Sequence, residues 1–66
     1  MAEEQLDRID SRLRIQAQID AKNYAIDTWR WLRKHTLSQE QHDNSRREIA
    51  RLTEEIRRLQ VQLRQL

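Results

Sequence analysis

Cysteine, glycine and proline are all missing from this chain of 66 residues. Without cysteine no disulfide can staple the fold. Without glycine or proline it lacks the two residues that most often interrupt helices, and no glycine-rich phosphate loop can form. Aromatic residues are scarce: two Trp, one Tyr and no Phe. No apolar run approaches the ~20 residues that span a bilayer. Met1-Ala2-Glu3-Glu4 is acidic and lacks an apolar core, so no secretory signal is expected and the default location is cytoplasmic. Charge of one sign is missing too, since 13 basic residues face 11 acidic ones and leave a net charge of +2. Such a balance suits salt-bridged helix faces better than a field that grips nucleic acid.

What remains is helix-forming and strongly patterned. Ile49, Leu52, Ile56, Leu59, Leu63 and Leu66 alternate steps of three and four, with Ile and Leu in the a and d pattern of a coiled coil. A first segment from about 3 to 35 carries apolar residues on two sides. Leu6, Ile9, Leu13, Ala17, Ala21, Tyr24, Thr28 and Trp31 share one side, and Ile15, Ile19, Ile26 and Trp29 lie roughly opposite. A helix with two apolar faces needs two sets of neighbours. The expected fold is therefore all-α: a two-helix antiparallel coiled-coil hairpin, helix 1 about 3–35 and helix 2 about 38–65, forming one unit over 1–66. In this reading Leu6, Ile9, Leu13 and Tyr24 meet the helix 2 stripe, and Ile15, Ile19, Ile26 and Trp29 face a second chain. A dimeric four-helix bundle is the leading assembly, and a trimer with helix 1 at its centre also satisfies a two-faced helix 1. At this length oligomerisation would supply burial that a lone core cannot.

The rival architecture is one unbroken helix in a coiled coil, but its seam would have to use His35, Ser38, His42 and Ser45. Local signals favour a break within 36–45, at Thr36 to Ser38. Arg30, Arg33, Lys34 and His35 crowd the end of the first segment, where cations suit the negative helix pole. Ser38 with Gln41 spells a capping box, and Ser45 with Glu48 spells another. The two helices would be about 50 Å and 42 Å long at 1.5 Å per residue. Glu4–Arg8, Asp10–Arg14, Asp43–Arg47 and Glu54–Arg58 have the i,i+4 spacing of ion pairs, worth only ~0.2–0.5 kcal/mol each.

Candidate chemistry is thin. His35 and His42 lie seven apart, without the further ligands a zinc or bundle metal site uses, so no metal and no cofactor is expected. Asp20 and Asp27 interrupt helix 1 without a cleft to serve as an acid/base pair, and read as wet borders between its two faces. The chain is read as no enzyme. Trp29-Arg30-Trp31-Leu32-Arg33-Lys34-His35 mixes rings and cations, as nucleic-acid surfaces and protein hot spots do. The two Trp differ by about 200° around a helix with ~3.6 residues per turn, so one closes the hairpin core and the other faces outward. Helix 2 arginines are interleaved with Glu48, Glu54 and Glu55, which marks a solvated face.

The expected function is a self-associating coiled-coil module, structural, adaptor or regulatory, whose partner is itself and in some settings another protein, with no membrane role. Second comes a hairpin dimer binding RNA or DNA through Arg30, Arg33, Lys34, Arg47, Arg51 and Arg58. Third comes a chaperone-like hairpin covered by a different protein.

Overall fold

A computed structural model describes the backbone of residues 2–35 and 38–66, with side chains from residue 5 onward within those ranges. It contains two helices, α1 (Ala2–His35) and α2 (Gln39–Gln65), packed against each other as an antiparallel hairpin. The molecule is a rod of 55 × 16 × 10 Å.

Local chemistry accounts for the ends. Arg33, Lys34 and His35 occupy the last turn of α1, where positive charge complements exposed carbonyls. Ser38 is extended and caps α2. Its Oγ accepts from the Gln41 backbone N–H at 3.4 Å, and its own N–H donates to Gln41 Oε1 at 3.0 Å. That reciprocal box satisfies two groups a helix start otherwise leaves open. The expected turn residues Thr36 and Leu37 lie outside the described residues, but the helix ends on either side put the break where Ser38–Gln41 predicts it. The second expected box is not formed. Ser45 is inside α2, wholly buried, and its hydroxyl donates to the His42 carbonyl at 2.7 Å. With α2 already begun at Gln39, the backbone around Ser45 is in the helical ladder and offers no open N–H to cap.

The core is Ile19, Ile26, Leu52 and Ile56, flanked by half-buried Ile15, Ala25, Trp29, Ile49, Leu59 and Leu63. The α2 stripe packs as its spacing predicts, apart from Leu66, which is exposed at the C-terminal cap. The α1 faces are exchanged relative to the sequence reading. Ile15, Ile19, Ile26 and Trp29 line the inside of the hairpin, whereas Leu6, Ile9, Leu13 and Tyr24 are exposed. The reason is periodicity. Residues 15, 19, 22, 26, 29 and 33 step by four, three, four, three and four, the same period as the α2 stripe. Positions 9, 13, 17 and 21 take three consecutive steps of four, which carries that stripe away from a period of 3.5. Two stripes stay in contact along a hairpin only when their periods agree.

The inner row of α1 also holds Lys22, whose Nζ reaches Glu55 Oε2 on α2 at 2.8 Å, with both side chains about 70% covered. This cross-helix bridge defines the register, placing Ser45 across from the Leu32–Arg33 step and Leu63 across from the Leu13–Arg14 step of α1. With 34 residues against 27, α1 is about 10 Å longer than α2 at 1.5 Å per residue, and the register leaves its N-terminal turns beyond the end of α2. No helix among the described residues is long and apolar enough to cross a membrane.

Candidate functional site

Three surfaces are left once the seam is filled. The first is the outer face of α1. Leu6 is 64% exposed, Ile9 54%, Leu13 65%, Tyr24 77% and Trp31 57%. Ala17, Ala21 and Thr28 lie between them on the same face and are also exposed. Thr28 turns its hydroxyl back onto the Tyr24 carbonyl at 2.9 Å, leaving its methyl group for the apolar stripe. Asp20 and Asp27 border this face in solvent, and Asp20 accepts from Gln16 Nε2 at 3.0 Å.

The second surface is the open end of the hairpin. The α2 stripe continues to Leu63 and Leu66, but the inner row of α1 turns polar below Ile15. Two grooves of about 360 and 290 Å³ result there. Ile9, Leu13 and Leu63 line the first with Arg12 and Gln16, and Ile9 and Leu66 line the second with Gln5, Arg8 and Arg12. The exposed stripe of α1 is thus continuous with the unfilled end of the core.

The third surface is the closed end. Arg30, Arg33 and Lys34 of α1 and His42 of α2 surround a shallow concavity of about 370 Å³. No carboxylate lines it, and none of these cations makes an ion pair among the described residues. Beside it Trp31 lies against His35, ring centroids 4.5 Å apart and tilted by 35°. The two Trp divide as their angular separation requires, Trp29 against the core and Trp31 outward.

The basic set read from the sequence therefore splits. Arg30, Arg33 and Lys34 come together, whereas Arg51 is held by Glu48 at 2.6 Å and Glu55 at 2.9 Å. Arg58 and Arg57 share Glu54, at 3.6 and 3.5 Å. Arg47 forms no ion pair with Asp43, although Asp10–Arg14 closes at 2.9 Å. The Glu4–Arg8 spacing involves a side chain outside those described. Around Lys22 the electrostatics are tuned. The Lys22 hydrogen bond holds the Glu55 carboxyl below its usual range, opposed by partial desolvation and reinforced by the Lys22 and Arg51 charges. The Glu48 hydrogen bond and charge raise Arg51 further.

Lys22 is the participant the sequence reading leaves out. Its signal is positional: it sits three after Ile19 and four before Ile26, on a row otherwise made of large apolar residues. Among the described residues no three of His, Asp and Glu gather in a way that could hold a metal ion. Compared with protein-family models, with curated proteins and with solved structures, the chain matches none.

Proposed function

We propose that this protein is a non-catalytic, self-associating interaction module of the cytoplasm, in which two hairpins join through the outer faces of α1 into a four-helix coiled-coil bundle. It would serve a structural, adaptor or regulatory role by holding two copies, and whatever they carry, in fixed relation. The observation that carries the reading is the uncovered apolar stripe of α1, running on into the unfilled open end of the core.

Two arguments select a second copy as the occupant. The first is the order of side-chain sizes along the stripe. Leu6, Ile9 and Leu13 precede Ala17, and Ala21 precedes Tyr24, Thr28 and Trp31. Turned end for end about its middle, the stripe sets Leu13 against Tyr24, Ala17 against Ala21 and Leu6 against Trp31. Large side chains meet large ones at two of the three flanking pairs, Ile9 meets Thr28 at the third, and small meet small where the backbones cross. A surface that matches itself under a twofold rotation is what an isologous dimer requires. The second argument is area. The five large side chains expose roughly 600 Å² per protomer at about 200 Å² each, or about 1,200 Å² for a pair, the lower edge of the ~1,200–2,000 Å² seen in specific interfaces.

The absence of cysteine makes the test clean. Light scattering after size exclusion should give twice the protomer mass, and Leu13→Glu should return it to the protomer mass with the helices retained. Mixing Ala17→Cys with Ala21→Cys chains should give disulfide-linked heterodimers under mild oxidation, with little linkage of either variant to itself. A protomer mass at every concentration refutes self-association. Efficient linkage of Ala17→Cys to itself refutes the antiparallel arrangement.

A further inference from the structure

We propose that the closed end of the hairpin is a phosphate-binding site that grips the backbone of a nucleic acid strand, using Arg30, Arg33 and Lys34 as its cations and His42 as an additional donor. The four residues that line this site lie off the α1 stripe, so the phosphate contacts stand whether or not two copies associate, whereas Trp31 beside them belongs to that stripe.

The cations of the hairpin divide into those already satisfied and those left open. On α2, Arg51, Arg57 and Arg58 have carboxylate partners within 3.6 Å. Lys22 is spent on Glu55. Among the described residues Arg30, Arg33 and Lys34 have no such partner, yet the fold brings them around one concavity with His42 from the other helix. Residues 28–35 contain no acid; the next one on α1, Asp27, stands one turn before Arg30, is exposed, does not line the concavity and forms no ion pair with Arg30 among the described residues. Across the hairpin Glu40 and Asp43 are the nearby acids in sequence; neither lines the concavity or pairs with its cations. Arg and Lys in this setting are the donors that phosphate oxygens select.

Shape then narrows the ligand. A pocket for a free small molecule encloses most of its ligand, and this concavity is shallow. It suits one phosphate group of a polymer whose neighbouring units find contacts nearby. Such contacts exist: Arg46 stands one turn beyond His42 on α2, followed by Arg47, and neither makes an ion pair among the described residues. Trp31 lies one ridge from Lys34 at i,i+3 and presents an exposed ring on which a base can stack. Among the described residues the lining is Arg30, Arg33, Lys34 and His42, with no apolar side chain of the kind that enters a lipid surface.

The test uses the full chain and a fluorescently labelled single-stranded RNA, read by anisotropy. If three cations each meet a phosphate, the log–log salt slope is about −2 and affinity falls roughly 20-fold between ~50 and ~200 mM salt. Lys34→Gln, at an exposed position, should weaken binding and flatten the slope by about 0.7. The triple Arg30→Gln/Arg33→Gln/Lys34→Gln variant should abolish binding with its circular dichroism unchanged. Arg57→Gln, which removes a cation already shared with Glu54, should bind as the parent does. No RNA binding at low salt, or binding that Lys34→Gln and Arg57→Gln affect equally, overturns the proposal. Binding of inorganic phosphate or of anionic vesicles without RNA binding overturns the assignment to nucleic acid.

Discussion

Replacing Ile26 with Ala should remove a large part of the stability of this protein, whereas replacing Leu13 with Ala should not. Ile26 is 6% exposed and Leu13 is 65% exposed, although both are large aliphatics on the same helix. Losing three buried carbons from Ile26 forfeits about 2.4 kcal/mol at ~0.8 per carbon, and the cavity left against Leu52 and Ile56 raises this to about 3–4 kcal/mol. A domain of this length has only about 3–10 kcal/mol to lose. Leu13 has about a third of its surface covered, so its truncation should cost about 1 kcal/mol or less, further offset by the helix preference of Ala. Urea unfolding followed by far-ultraviolet circular dichroism, at several protein concentrations, separates the two. The Ile26→Ala loss should persist at the lowest concentration. The Leu13→Ala loss should appear only as concentration rises, because in the proposed dimer its burial comes from a second copy. An equal loss for both variants at the lowest concentration would falsify the assignment of the inner and outer faces of α1.

Further outcomes follow from other contacts. Ser38→Ala should cost about 1 kcal/mol and Ser38→Gly only a few tenths, seen as a drop in the thermal midpoint. Ser45→Ala should be nearly silent, because the His42 carbonyl keeps its place in the helix. Ser45→Leu should overpack a site with no exposed surface and cost about 1–3 kcal/mol. Because folding lowers the Glu55 pKa, Glu55 stabilises the hairpin above the usual carboxylate range and loses that contribution as pH falls through the lowered value. Titrating the unfolding midpoint from neutral pH into acid should show that loss in the parent chain and a flatter profile in Glu55→Gln; identical profiles would mean that the Lys22 bridge adds no linkage.

Much of this architecture is written in the sequence because the controlling interactions are local. The Ser38–Gln41 box depends on residues three apart, and the α2 stripe repeats over six large aliphatics. The choice of face on α1 is less legible. Counting large apolar side chains favours the side of Leu6, Ile9, Leu13 and Tyr24; matching the period to α2 favours the side of Ile15, Ile19, Ile26 and Trp29. The second criterion prevails because a hairpin seam rewards register over content. Lys22 obscures that match by placing a charge midway along the winning row. The closed-end cluster is half legible, since Arg30, Arg33 and Lys34 are neighbours in sequence while His42 arrives only through the fold. Which arginines of α2 remain unpaired is decided by the rotamers of Glu48, Glu54 and Glu55, about which spacing alone says little.

The unequal length of the two helices gives the rod a soft end and a firm end. The first two turns of α1 project past α2, so no packed core supports them, their leading N–H groups have no intrahelical acceptor, and isolated helical turns are marginal in water. Amide hydrogen exchange should therefore be fast at the N-terminus of α1 and slow through the 19–26 and 52–56 stretches, with opening spreading inward from the projecting turns. A partner that covers Leu6 and Ile9 would quench exchange there first, so the projecting segment is a built-in reporter of occupancy.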